Sequence, residues 1–212
     1  MPRTARQCGK VKSQQALIKP MDFITRFDIE IFRLINSSWT APFLDSFMVY
    51  VTSKMNFLGV IIIAAVLIWI MGKRQDRLGL IILVVVVLLS DFASNTFKHI
   101  FERIRPCNAL EGVSLLVGCG GSFSMPSGHA TNIFAAMVFL SARYRRFWPA
   151  FIFIAVIVAY SRVYVGVHFP SDVIAGAFLG GSIALVFFSA ERGWLRAKLV
   201  AVLEARRKRA ES

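Results

Sequence analysis

Long runs of apolar residues separated by short polar loops dominate this chain from residue 56 onward. Five runs approach the roughly 20 residues that a helix needs to cross the hydrocarbon core of a bilayer. They predict transmembrane helices over residues 56–71, 78–97, 127–142, 147–165 and 170–189. The predicted fold class is therefore all-α, an integral membrane bundle of five or six transmembrane helices.

The residues before the first span have a different pattern. In residues 21–36, apolar side chains recur at helical spacing, which predicts an amphipathic helix on the membrane interface. The other side of this helix is polar: Asp22, Arg26, Asp28, Glu30 and Arg33. Residues 43–55 are more apolar but contain Asp45 and Lys54, which predicts a second surface helix or a partly inserted one.

Composition agrees with a membrane protein. Of the 212 residues, 56% are hydrophobic and 17% are charged, and the mean hydropathy is +0.61. The net charge of +13 comes from basic residues clustered in loops and tails between apolar runs. That distribution is typical of topology signals and of contacts with anionic lipids, and it argues against nucleic acid as a partner.

The short loops predict the orientation in the membrane. Basic residues concentrate in two loops and the C-terminal tail: Lys73, Arg74, Arg77, Arg143, Arg145, Arg146 and residues 190–212. With five spans these regions share one side, which the positive-inside rule makes cytoplasmic. The basic N-terminal tail, residues 1–20, would then lie outside unless a sixth span falls within residues 29–53. The predicted membrane domain is 21–189, and the C-terminal tail is expected to lie on the inner leaflet as an amphipathic segment.

Three polar clusters occur at the ends of spans: KHIFERIRP (98–106), PSGH (126–129) and SRVYVGVHFPSD (161–172). All three fall on the face opposite the basic loops, so they are expected to converge at one membrane surface. Lys98, Arg105 and Arg162 supply cationic donors, two of them guanidinium groups suited to phosphate oxygens.

The same clusters also supply groups for phosphoryl transfer. Ser127 and Gly128 begin a predicted helix, where a hydroxyl and free backbone N–H groups favour an anion. Asp172 follows His168 by four residues, near enough to fix one ring nitrogen and leave the other as a nucleophile. His129 is then available to protonate the leaving oxygen.

These three motifs resemble the signature of the type 2 phosphatidic acid phosphatase (PAP2) family, within the superfamily of bacterial acid phosphatases and vanadium haloperoxidases. All eleven fixed positions match in order. The resemblance implies that His168 forms a phosphohistidine, that Asp172 orients it and that His129 is the acid. It implies five phosphate-binding residues: Lys98, Arg105, Ser127, Gly128 and Arg162.

Three further features of the sequence lead to separate predictions. Asp91, Asn95 and Lys98 share one helix face, which indicates either a polar stripe that steadies Lys98 or interior packing. Gly176 and Gly180 form a G-x-x-x-G pattern that favours close helix packing. Cys107 and Cys119 flank a loop on the predicted outer face, where a disulfide is chemically permitted but its connectivity is open.

The expected function is hydrolysis of a lipid phosphate, such as phosphatidate, phosphatidylglycerophosphate, undecaprenyl diphosphate or lipid A. Two alternatives stay open, a lipid phosphotransferase using the same phosphohistidine and a non-catalytic membrane protein of the same fold. No metal-ligand motif is evident, so neither metal nor cofactor is expected. The expected partners are the lipid substrate and membrane lipids, and the sequence leaves the oligomeric state undetermined. The expected location is a bacterial-type cytoplasmic membrane, with the active site facing the outside or periplasm.

Overall fold

The structure, a computed structural model, describes residues 23–211, which form α-helices joined by loops. The helices are α1 (Phe23–Arg33), α2 (Pro42–Thr52), α3 (Met55–Met71), α4 (Arg74–Phe101), α5 (Pro106–Ala109), α6 (Gly128–Arg143), α7 (Trp148–Tyr164) and α8 (Pro170–Glu211). A π-helical turn, Leu34–Ser38, follows α1, and a 3-10 turn, Arg145–Phe147, joins α6 to α7. The predicted basic tail, residues 1–20, and Asp22 lie outside the described residues.

Helices form at all five predicted spans, but fewer of them meet the length and hydropathy expected of a bilayer-crossing helix. Within residues 23–211, three stretches do so, Arg74–Ala109, Arg145–Tyr164 and Pro170–Trp194, and a fourth results if α2 and α3, bent by 48°, count as one span. Helix α6 has 16 residues, so its length of about 24 Å falls short of the hydrocarbon core of about 30 Å. The all-helical membrane fold is confirmed, whereas five or six spans remains a prediction.

A pair of glycines brings α8 against α6 at the centre of the bundle. A Cβ atom on Gly176 would lie 2.7 Å from the carbonyl oxygen of Ser127, and one on Gly180 would overlap the carbonyl oxygen of Thr131. The adjoining core is apolar, and Phe139 and Ala184 are buried there. The two helix backbones can approach this closely only because both positions lack a side chain.

Gly180→Ala is expected to lower the melting temperature of the purified protein by about 5 °C or more, because the added methyl group would push α8 away from α6. Differential scanning fluorimetry in detergent measures this. Gly181→Ala is the matched control, since its Cβ would have Val138 Cγ2 at 3.8 Å as its nearest neighbour, an ordinary contact. Equal melting temperatures for the two variants would contradict the packing argument.

Cys107 and Cys119 are joined by a disulfide that closes the loop between α5 and α6. Their Cα atoms lie 6.1 Å apart, within the usual span for such a bond. Because the loop leads from Arg105 to Ser127, the bond limits the freedom of the segment between two of the three motifs.

Reduction and alkylation of the unfolded protein are expected to label both Cys107 and Cys119, whereas alkylation without reductant should label neither. Peptide mass spectrometry on protein purified from an oxidising compartment measures the difference. Free thiols at both positions in that protein would show that the bond does not form.

The N-terminal helix packs against the bundle more closely than its pattern predicts. The prediction that Asp28 belongs to the outward polar side of α1 is wrong, because the residue is only 4% exposed. It accepts hydrogen bonds from Arg103 and Ser171, which compensate for the loss of water around the buried carboxylate. Phe32, on the same helix, packs in an apolar cluster with Val163.

Helix α8 continues past the predicted domain boundary at residue 189 to Glu211 without a break. Near that boundary, Arg143 links the ends of three helices. This end of the bundle carries the basic loops. Its guanidinium donates to Glu191 of α8 and to the backbone oxygen of Gln75 in α4. Tyr144 donates to Asp76 at 3.1 Å. These five residues are called the Arg143 cluster below.

Candidate active site

The first motif begins on the last turn of α4. Glu102 ends this helix in the left-handed conformation, with φ of 45°, and the chain turns back across the bundle. Arg105 follows the turn and donates to Ser122 through Nε (2.7 Å, to the carbonyl oxygen) and Nη2 (2.9 Å, to Oγ). Lys98 Nζ also reaches Ser122 Oγ, at 3.2 Å. One serine therefore aligns two of the predicted phosphate-binding cations.

The second motif forms the start of α6. The backbone N–H of Ser127 donates to the carbonyl oxygen of Asp172 at 2.9 Å, which joins the second motif to the third. A Cβ on Gly128 would lie 3.9 Å from Lys98 Nζ, so the first motif is adjacent as well. The buried hydroxyl of Ser127 has no hydrogen-bond partner among the described residues. It is thus a free hydrogen-bonding group beside the backbone N–H groups that a helix start leaves unpaired.

The third motif supplies His168 and Asp172, two residues that are exposed by only 1% and 0%. His168 Nδ1 lies 3.5 Å from Asp172 Oδ2, longer than an ordinary hydrogen bond. Ser124 lies between them: its hydroxyl donates to Asp172 Oδ2 at 2.5 Å and lies 3.4 Å from His168 Nδ1. On the other side of the ring, Nε2 lies 3.4 Å from Arg105 Nη1. The ring therefore presents Nε2 to the cationic groups and Nδ1 to the Ser124–Asp172 pair.

Arg162, the third predicted phosphate-binding cation, is also buried. Its Nη1 donates to Thr52 Oγ1 at 2.5 Å, and its Nε has no hydrogen-bond partner within the described part of the chain. Its backbone oxygen accepts from the N–H of His168 at 3.3 Å, so it lies directly against the loop that carries the histidine.

His129, on the first turn of α6, is half-buried. Its ring interacts electrostatically with four groups of the site: Arg162, Lys54, His168 and Lys98. The second and third motifs thus bring both histidines to one cationic cluster.

Of the polar stripe predicted on α4 (Asp91, Asn95 and Lys98), only a part belongs to this site. Asp91 accepts a hydrogen bond from Asn132 Nδ2 at 2.7 Å and acts on Lys98 through its charge. Asn95 is exposed. A steadying role for Asp91 and Asn95 stays a prediction.

The arrangement of the three motifs agrees with the family comparison. The model of the PAP2 superfamily matches residues 79–195, more than half of the chain and all three motifs. The chain belongs to the PAP2 superfamily.

Similar PAP2 proteins include lipid phosphatases. The chain is 35% identical over 162 residues to an undecaprenyl-diphosphatase of Sulfolobus acidocaldarius, covering 76% of each protein. It is 30% identical over 179 residues to a lipid A 4'-phosphatase of Bacteroides thetaiotaomicron, covering 79% of this chain and 78% of that one. The crystal structure of Aquifex aeolicus LpxE is similar with a TM-score of 0.66 and 26% identity, over 81% of this chain and 98% of that chain.

His168 of this PAP2 protein is held in its neutral form. It lies in the loop between α7 and α8, where burial lowers its pKa to about 4. The nearby carboxylate of Asp172 acts in the opposite direction, and the positive charge of Arg105 adds to the effect of burial. A neutral imidazole keeps a lone pair on one ring nitrogen, as a nucleophile requires.

Several residues in contact with the PAP2 motifs were missed in the sequence analysis. They are Thr52, Arg103, Ser122 and Ser124, and Asp28 was named there only as part of the polar side of the first helix. Lys54, which acts on His129 through its charge, was noted there only as a charge in an apolar segment. Arg103 lies within the quoted KHIFERIRP stretch, and a second arginine beside a motif arginine was a usable signal. The two serines lie in a loop without hydrophobic periodicity, so no pattern in the sequence marks them.

Proposed function

We propose that this PAP2 protein is an integral membrane lipid phosphatase that hydrolyses a phosphomonoester or diphosphate headgroup. The main support is a pair of buried polar groups, Ser127 Oγ and Arg162 Nε, that have no hydrogen-bond partner among the described residues and lie in one cluster with Arg105 and His168. Buried hydrogen-bonding groups are normally paired, and a phosphoryl group would supply acceptor oxygens for both.

The proposed reaction has two steps. In the first, His168 Nε2 attacks phosphorus in line with the leaving oxygen, a P–N bond forms and the P–O bond breaks. His129 gives its proton to the leaving oxygen. In the second, His129 takes a proton from water, whose oxygen attacks phosphorus. The P–N bond breaks, which releases inorganic phosphate and restores neutral His168. Lys98, Arg105 and Arg162 neutralise the charge of the transferred group throughout.

The substrate class follows from the relatives and from the surface of the bundle. The two relatives described above are named for undecaprenyl diphosphate and lipid A, two phosphorylated molecules that long apolar chains anchor in a membrane. Helix α3 has no buried residue in the described structure, and its exposed side chains are almost all apolar, as expected of a surface against lipid. The basic loops lie at the end of the bundle away from the motifs, so the proposed site opens outside a bacterial cytoplasmic membrane.

A substrate screen tests the proposal. The protein, purified in detergent, is assayed for phosphate release from phosphatidate, phosphatidylglycerophosphate, undecaprenyl diphosphate and lipid A, with His168→Ala as the control. We expect release from at least one lipid by the wild type, in the presence of EDTA, and none by the variant. Phosphorylated acceptor without free phosphate would indicate a phosphotransferase, and inactivity toward every lipid would refute the proposal.

The pH dependence of turnover is expected to be bell-shaped. The acid limb should lie near pH 4, because activity needs neutral His168 and is lost as the pH falls through its lowered pKa. The alkaline limb is expected in kcat at saturating substrate, where the negative charge of the bound phosphoryl group favours the protonated form of His129, and both limbs belong to the coupled site. Initial rates in a constant-ionic-strength buffer series measure the profile. An acid limb at about pH 6.5, the value for free histidine, would contradict the argument from burial.

A further inference from the structure

Arg103 connects the N-terminal helix to the carboxylate beside the proposed nucleophile. Its Nη1 donates to Asp172 Oδ1 at 2.6 Å, and its Nη2 donates to Asp28 Oδ2 at 2.5 Å. We propose that Arg103 and Asp28 are positioning residues, which hold Asp172 in the orientation that catalysis by His168 requires. This inference rests on the proposed function.

The contacts of Asp172 divide between its two oxygens. Oδ2 lies toward His168 and accepts from the hydroxyl of Ser124 (2.5 Å) and from the backbone N–H of Phe169 (2.8 Å). Oδ1 accepts from Arg103. The arginine thus occupies the side of the carboxylate turned away from the imidazole. Its contact sets the rotation of the carboxylate and so the direction in which Oδ2 points.

Asp28 holds the arginine from the other side and also binds the start of α8. Its Oδ1 accepts from the backbone N–H of Ser171 at 2.9 Å, and its Oδ2 accepts from the Ser171 hydroxyl at 2.5 Å. Arg103 Nη1 reaches the same hydroxyl at 2.5 Å, and its guanidinium lies 4.3 Å from the ring centroid of Phe169. The guanidinium is therefore fixed by hydrogen bonds at its edge and by an aromatic ring at its face.

Burial makes this arrangement energetically sensitive. Asp28 and Asp172 are nearly inaccessible, and Arg103 is the positive partner of both. Removing one member of a buried ion pair leaves the other charge without compensation, which costs far more than losing a surface pair. Removing the charge of Arg103 or Asp28 is therefore expected to change both the position of Asp172 and the electrostatic potential at His168.

The charged groups facing His168 determine the sign of that change. They are Asp172 of α8, Arg105 after α4, Arg162 of α7 and His129 of α6, and Asp28 of α1, which also packs on this loop, acts through Arg103. Without Arg103, the negative charge of Asp172 is less compensated, so the imidazolium is favoured. Without Asp28, the positive charge of Arg103 is less compensated, so the imidazolium is disfavoured.

The test compares kcat/KM–pH profiles of wild type, Arg103→Gln and Asp28→Asn on one substrate. We expect the acid limb of Arg103→Gln to move to higher pH by about one unit or more, and that of Asp28→Asn to move to lower pH. We also expect kcat of Arg103→Gln to fall about 10²-fold. Titration of the substrate itself cancels, because it is the same in all three profiles.

Matched controls separate positioning from loss of folding. Glu30→Gln and Arg26→Gln remove exposed charges from the same N-terminal helix and should leave both limbs unchanged. Arg103→Lys keeps the positive charge but cannot bind both carboxylates through one planar group. Its acid limb should therefore lie close to that of the wild type, while its kcat stays reduced. It also provides a measurable variant if Arg103→Gln does not fold.

Two outcomes would overturn the inference: acid limbs that stay at the wild-type position, or limbs of the arginine and aspartate variants that move in the same direction. An inactive wild type would instead refute the proposed function, so the two failures are distinguishable.

Discussion

Turnover by His168→Ala is expected to fall by about 10⁴-fold or more, because the variant lacks the nitrogen that we propose attacks phosphorus. The ring is buried and its Nε2 lies 3.4 Å from Arg105, so no other described side chain occupies that position. Initial rates of phosphate release measure the loss, with Ser46→Ala as a control because this serine is exposed and its hydroxyl donates to the carbonyl oxygen of Pro42 within its own helix. Residual activity above about 1% of wild type would indicate a different nucleophile.

His129→Gln should behave differently if its role is proton transfer. With a poor leaving group, the variant should be slow in the first step. With an activated aryl phosphate, whose leaving oxygen needs no proton, the first step should proceed and the phosphohistidine should accumulate. Acid-labile, alkali-stable phosphate on the peptide that contains His168 would identify it. Its absence with the aryl substrate would contradict the assigned role of His129.

Arg105→Ala is expected to reduce kcat by about 10³- to 10⁵-fold, the range observed when a cation on a transferring phosphoryl group is removed. Arg105 Nη1 lies 3.4 Å from the proposed attacking nitrogen, so the guanidinium is placed to neutralise charge on phosphorus as the P–N bond forms. Steady-state rates with saturating substrate measure the effect.

Arg145→Ala is the control for Arg105→Ala, because Arg145 is exposed at the end of the bundle that carries the basic loops. Arg105→Lys should recover only part of the rate, since an ammonium cannot reproduce the paired contacts to Ser122. A kcat for Arg105→Ala within tenfold of wild type would remove the residue from the proposed site.

The convergence of the motifs was predictable because each lies at the end of a strongly apolar segment. Helices that alternate in direction across a membrane bring such ends together whatever their separation in sequence. The contact of Ser127 with Asp172 is one result of this rule. The number of spans was less predictable, because the 16 residues of α6 are apolar enough to resemble a span but fall short of the bilayer thickness.

The supporting residues were not predictable from periodicity. Asp28 has the spacing of a residue on the polar face of α1, and only its partner, 75 positions away, accounts for its burial. Thr52 and Ser124 are small polar residues. The role of Thr52 depends on its hydrogen bond with Arg162, and that of Ser124 depends on its hydrogen bond with Asp172. Contacts of this kind depend on tertiary packing, which local patterns do not encode.

The Arg143 cluster has a mechanical consequence for the entry of a lipid substrate. Its hydrogen bonds hold α4, α6 and α8 together at one end of the bundle. Helices joined at one end separate most at the other when they tilt, as two rods with a common pivot do. Any widening that admits a bulky headgroup would therefore be greatest beside His168 and smallest near Glu191.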